Sequence, residues 1–265
     1  MSDSNGRGAG QAGSAPDASP APGALTPGEP GELPTPPAAA AVVFGDRLDE
    51  ARGFAALLAD TGVSHGLIGP REVPILWERH ILNCAVVHPA FPQGAELVDV
   101  GSGAGLPGIA LAIARPDLQV HLVEPMMRRT TWLSGAVQEL GLSNCTVHRA
   151  RAEELHGTLR VGFATGRAVA RIDKLARWTF PLLTAGGTLV ALKGDRAQSE
   201  LEAEEPVLKR LGMTAAHVRS YGDGLLDVPT VTLELTAAAV ARRSGATRGA
   251  SKGPRDRANR GSNRR

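Results

Sequence analysis

The chain has 265 residues, a formal charge of +2 at pH 7, and 42% hydrophobic and 21% charged residues, close to the globular average. No apolar run approaches the ~20 residues that span a bilayer, and Met1-Ser2-Asp3-Ser4 opens no basic-then-apolar leader. Cys84 and Cys145 form no C-x-x-C, and none of the seven His stands at metal-ligand spacing, so we expect two ordinary thiols in a reducing cytoplasm, with no membrane span, disulfide framework or structural zinc.

Residues 1–41 hold eight of the 19 Pro and seven of the 32 Gly but no Ile, Phe or Trp. That composition cannot offset the entropy of ordering, so a disordered Pro/Ala/Gly-rich tail is expected there. Residues 42–94 are expected to form a small helical part. Helix 46–60 places Leu48, Ala51, Ala55 and Leu58 on one face, and helix 75–88 does the same with Leu76, Trp77, Ile81, Ala85 and Val86. Gly66, Gly69-Pro70 and Pro74 mark a loop between them.

The main domain is expected over 95–237. Strand candidates are 96–100, 119–124, 144–148, 161–165, 187–193 and 229–236, and helix candidates are 106–115, 128–140, 173–184 and 197–211. Short apolar strands alternating with helices predict an α/β fold, a doubly wound, mostly parallel sheet covered on both faces. Such sheets bind ligands beyond the carboxyl ends of their strands, which directs attention to the loops after Val100, Glu124, Arg149 and Thr165. Residues 238–265 are expected to be a second disordered tail. Nine Lys/Arg against the single acid Asp256 make 242–265 strongly basic, a segment suited to RNA without sequence preference.

The stretch Val98-Asp99-Val100-Gly101-Ser102-Gly103-Ala104-Gly105-Leu106-Pro107-Gly108 is the most informative. A buried strand runs into alternate glycines, which turn sharply and admit a ligand close to the backbone, and then into a helix. The string matches G-x-G-x-x-G, and Glu124 stands where a ribose-binding acid would, so a dinucleotide and hence an NAD-dependent oxidoreductase is one reading. The carboxylate of Asp99 opposes a pyrophosphate and favours the cationic S-adenosylmethionine, which is the other.

The string LVDVGSGAGLPG resembles motif I of class I S-adenosylmethionine-dependent methyltransferases. Leu76-Trp77-Glu78-Arg79-His80-Ile81-Leu82, GSGAGLPG, Arg151-Ala152-Glu153-Glu154, Gly166-Arg167-Ala168-Val169-Ala170 and Ala191-Leu192-Lys193-Gly194 follow in order. Together they resemble the bacterial family that methylates guanine N7 in 16S rRNA (RsmG, or GidB), over roughly residues 46–236. The resemblance implies a Rossmann-like seven-stranded methyltransferase sheet. It implies S-adenosylmethionine as cofactor and a guanine of 16S rRNA (position 527, standard rRNA numbering) in the small ribosomal subunit or its assembly intermediate as substrate. It implies cofactor contacts at Gly101, Leu106, Ala152, Glu153 and Arg167, with Glu124 in the place of the acid that ends the second strand; the spacing of the glycine string adds Gly103 and Gly105. Asn83-Cys84 departs from the family's frequent Asp-Ser.

Guanine N7 has a free lone pair, so methylation needs position and dryness rather than a general base, and no catalytic base or metal is expected. Arg167, Arg171, Lys174 and Lys193 are the candidate RNA contacts. Arg167, Arg171, Lys174 and Arg177 recur every three or four residues, a pattern shared by an RNA-binding face and by a solvated helix face. A non-catalytic RNA-binding protein and a methyltransferase of another substrate are the remaining alternatives.

Overall fold

The computed structural model describes residues 33–238. The basic tail after 238 and most of the N-terminal tail lie outside the described residues. The expected N-terminal boundary at 41 is too late. Ala38–Phe44 forms α1, and Ala40 is fully buried. The Pro and Gly of the tail mask this helix in the composition, although an Ala run is the best helix former.

Helix α2 (Leu48–Leu57) continues through a wide turn, Leu58–Gly62. A 3-10 turn, Pro70–Ile75, fills the end of the expected loop. A second wide turn, Trp77–Leu82, runs into α3 (Asn83–Ala85). Then β1 (Glu96–Val100), α4 (Gly108–Ala114), β2 (Gln119–Val123), α5 (Met127–Glu139), β3 (Cys145–His148) and β4 (Val161–Arg167) follow. The chain closes with α6 (Ile172–Thr179), β5 (Leu183–Leu192), α7 (Ala197–Arg210), β6 (Met213–Tyr221) and β7 (Thr230–Ala237).

The strands form one seven-stranded sheet in the order β3-β2-β1-β4-β5-β7-β6. The first five in that order pair in parallel, and β7 runs antiparallel to β5 and β6. The chain leaves β1 toward β2 and leaves β4 toward β5, in opposite directions, so the switch point lies between the carboxyl ends of β1 and β4. Two element assignments need correction. Helix 173–184 stops at Thr179, because Pro181 has no amide to continue it, and β5 begins at Leu183 rather than 187. Strand β6 was not among the expected strands: MTAAHVRSY lacks a buried apolar face, being half-buried to exposed throughout at the sheet edge.

Two cores cover the sheet. Phe54, Leu58, Leu76 and Ile81 of the N-terminal helices pack with Ile109, Leu111 and Ile113 of α4 on one face. Ile172, Leu175 and Leu208 of α6 and α7 pack with Val98, Leu189 and Leu233 on the other. Hydrogen bonds pin the N-terminal helices at their polar points. Trp132 Nε1 donates to Thr61 Oγ1 at 2.9 Å, and Asn83 Nδ2 donates to Thr230 Oγ1 at 2.8 Å. Cys84 and Cys145 are free, and burial pushes both thiols up to about 12, which makes them unreactive.

Candidate functional site

The glycine loop fills the switch point. Gly101, Gly103 and Gly105 all adopt positive φ, between 54° and 80°. Their reasons differ. A Cβ on Gly105 would stand 2.5 Å from Ile109 Cδ1, and one on Gly101 would stand 2.9 Å from Val169 Cγ1, so these two are small for packing. A Cβ on Gly103 would meet only the carbonyl oxygen of Gly101, at 3.7 Å. Gly103 is therefore where the loop leaves room. Leu106 turns away into the core.

Most of the loop's amides are already engaged. Gly101 and Ser102 donate to Val123 O, and Gly105 and Leu106 donate to Ser102 O. Gly103 N–H donates to Glu124 Oε2 at 3.2 Å, and Gly108 N–H donates to Asp99 Oδ2 at 3.0 Å. A pyrophosphate needs free amides at this turn and positive potential. Carboxylates take two of those amides, and the carbonyls of Val123 and Ser102 take four more.

Asp99 does not act as its place in the sequence suggested. Its carboxyl is fully buried beneath the loop rather than facing a ligand, with Oδ1 unpartnered. Burial pushes it up to about 7, against the stabilising amide of Gly108. The acid that faces the loop is Glu124, just beyond β2 and only 2% exposed. Its Oε1 accepts from Met126 N–H at 3.0 Å, and Arg129 Nη1 stands 3.6 Å from Oε2.

Ala152 is buried among Val100 and Val123, the last residues of β1 and β2, while Glu153 is exposed beside it. Both open the 3-10 turn Ala152–Leu155. Arg167 ends β4 and turns toward the N-terminal helices. Its Nη1 donates to Arg79 O at 3.2 Å and its Nη2 to His80 Nδ1 at 3.1 Å. His80 Nε2 lies 2.7 Å from Glu72 Oε2. Ala168 follows with φ of +54°, a left-handed conformation that costs a non-glycine residue roughly 1–2 kcal/mol. Val169 then covers Gly101.

Beyond Arg167 opens a cleft of about 1260 Å³, walled by the 3-10 turn with Glu72, the helix with Arg79 and His80, the ends of β4 and β5, and the loop before β7. Arg167, Arg171 and Lys193 line it; Lys174 does not. Lys174 instead lies over the Trp178 ring, 5.0 Å from its centroid. The expected four-residue row therefore divides between the cleft and the outer face of α6. Two of these cleft cations are also paired with carboxylates. Lys193 Nζ donates to Ala170 O at 2.8 Å and to Glu200 Oε1 at 3.0 Å, and Arg171 pairs with Glu204 and Asp173. Glu72, Asn83 and Glu200 also line the cleft and are not among the expected site residues: the first sits in a Gly/Pro stretch, the second stands out only as a departure from the family's Asp, and nothing local distinguishes the third.

Comparison with known proteins agrees with this geometry. Residues 47–227 match the family model GidB, described as rRNA small subunit methyltransferase G. A relative from Thermobifida fusca, named ribosomal RNA small subunit methyltransferase G, is 50% identical over 83% of this chain and 92% of its own length. One of the same name from Streptomyces avermitilis is 52% identical over 75% of this chain and 84% of its own. Among solved structures, the S-adenosylmethionine-dependent methyltransferase SibL in its apo form shares the fold, with a TM-score of 0.51 at 16% identity, covering 76% of this chain and 70% of that one. With its switch-point glycine loop, its carboxylate-occupied amides and a family match over most of its length, the chain belongs to the GidB family of rRNA small subunit methyltransferases G.

Proposed function

We propose that this chain transfers a methyl group from S-adenosylmethionine to N7 of a guanine of 16S rRNA, position 527 in standard rRNA numbering, in the bacterial cytoplasm. The observation that carries the reading is the glycine loop, six of whose amides are taken by Val123, Ser102, Glu124 and Asp99. It offers an acid and open space in place of a phosphate cradle, which suits a cationic cofactor and disfavours the dinucleotide of an oxidoreductase. Gly101, Gly103, Gly105 and the backbone of Leu106 would form the floor of the cofactor site, with Glu124, Ala152, Glu153 and Arg167 around it. The cofactor supplies an activated methyl group on a sulfonium.

The chain's own residues then have three tasks. Glu124 holds the loop through Gly103 and presents an acceptor for hydroxyl groups. The cleft receives a base that must leave its stack to be reached. Arg167, Arg171 and Lys193 provide donors for guanine O6 or for phosphates. None should donate to N7 itself, because the lone pair there is the nucleophile. The name shared by the relatives supports a small-subunit rRNA substrate over a small molecule.

The test is methylation of small subunits and of 16S rRNA from a strain lacking this gene, with isotope-labelled cofactor and mass mapping of the digested RNA. One N7-methylguanosine at the stated position is expected. Label in another nucleoside, or no label from a protein that binds S-adenosylhomocysteine, overturns the substrate; binding of NADH in place of S-adenosylhomocysteine overturns the reaction.

A further inference from the structure

Arg167 is placed by the N-terminal helices. A guanidinium only donates hydrogen bonds, so the contact from Arg167 Nη2 requires His80 Nδ1 to be an unprotonated acceptor. The single hydrogen of a neutral imidazole is then on Nε2, aimed at Glu72 Oε2 2.7 Å away. Glu72 also faces Arg79 Nε at 3.9 Å, and the Arg79 carbonyl takes a second Arg167 donor. Three separate pieces of chain, the 3-10 turn Pro70–Ile75, the wide turn Trp77–Leu82 and the end of β4, thus meet in one row.

We propose that His80 is a positioning residue for methyl transfer: the row Glu72–His80–Arg167 fixes the plane of the Arg167 guanidinium at the cleft wall. This rests on the reading of Arg167 as a group that meets cofactor or RNA. Arginine has five donors in a rigid fork. Two are committed to His80 and Arg79, and that commitment orients the remainder. The charged groups acting on His80 are Glu72 from the 3-10 turn, Arg79 from its own helix and Arg167 from the sheet. Burial lowers its pKa below the ordinary 6.5, Glu72 opposes this, and the two arginines reinforce it. The imidazole therefore stays neutral at pH 7. A proton added at Nδ1 would point at the guanidinium and release Arg167.

Nitrogen-15 NMR of the imidazoles tests the row on the protein alone. His80 should show a protonated Nε2 and a bare Nδ1 at pH 7, with a midpoint below 6.5 that rises in Arg167→Met. In the methylation assay, His80→Phe should lower kcat about 10- to 100-fold, the cost of a misplaced reacting geometry, with a smaller change in KM for RNA and an unchanged melting profile. Glu72→Gln, which keeps an acceptor for Nε2–H, should retain far more turnover than Glu72→Leu. An Nδ1–H tautomer, a midpoint unmoved by Arg167→Met, or wild-type turnover in His80→Phe overturns the proposal. A chain that methylates no rRNA would sink the functional reading instead and leave the tautomer and midpoint to decide the row.

Discussion

The loop glycines separate by what a methyl group would strike. On Gly103 it would meet only a carbonyl oxygen at 3.7 Å, so Gly103→Ala adds a left-handed strain of roughly 1–2 kcal/mol but no clash. Gly103→Asp also adds volume and negative charge beside Glu124. Titration with S-adenosylhomocysteine should show binding weakened by Ala and abolished by Asp, with both variants folded. On Gly108 the same atom would stand 2.3 Å from Leu122 Cδ2 and 2.8 Å from Asp99 Oδ2, so Gly108→Ala should lower the melting temperature first. Glu124→Ala removes the acceptor that faces the loop, and cofactor affinity should drop by ~1–3 kcal/mol, the range for a hydrogen bond to a charged group; an unchanged affinity takes Glu124 out of the site. Asp99 has a distinct signature. Its folded pKa of about 7 lies above the ordinary 3.8, so the native state binds the extra proton between those values and stability falls as pH rises through them. Chemical denaturation of Asp99→Asn should lack that slope and should gain on the wild type most above pH 7.

At the scale of elements, the N-terminal helices belong to the site as much as to the core. Asn83 and Thr230 exchange two hydrogen bonds at 2.8 Å, from α3 to the first residue of β7, and both residues line the cleft. Asn83→Ala leaves the buried Thr230 hydroxyl without the amide that donates to it, and the expected loss is ~1–3 kcal/mol by denaturant titration. The helix periodicity of 46–60 and 75–88 was readable because each turn repeats its apolar face. The docking partner was not, since His80 meets Arg167 only across a gap of 87 residues. Helix α6 shows the converse. A three-to-four spacing of cations in the sequence suggested one face, yet the strand end at Arg167 and the turn at Arg171 do not continue the helix, so Lys174 stacks on Trp178 outside the cleft.

Across the whole molecule, charge is divided unevenly. Residues 242–265 carry nine of the 29 Lys and Arg with one acid, leaving the rest of the chain net acidic. In the cleft, too, cations alternate with Glu72, Glu78, Asp195, Glu200 and Asp227. Long-range attraction to RNA should therefore come from the basic C-terminal segment, while the cleft contributes fitted hydrogen bonds. Removing residues 242–265 should weaken rRNA binding and flatten its dependence on salt by about 0.7 in log–log slope for each single-strand phosphate that the segment neutralises, with affinity for S-adenosylhomocysteine unchanged. A filter-binding series in salt decides it.

The chain's alternating strands and helices, its glycine string and the order of its short motifs were enough to determine an α/β sheet, the position of the glycine loop and the family, because each is a local pattern repeated or concentrated in a few residues. Which carboxylate reaches Gly103 was decided only in three dimensions. Asp99 and Glu124 are equally acidic on paper, but one side of β1 buries the first under the loop while the turn after β2 presents the second to Gly103. Likewise the edge strand β6 exists because β7 offers it a ladder, and Arg167 has its direction because two distant helical residues supply its acceptors. Residues that meet from far apart in sequence have no period to betray them, and the site is made of such meetings.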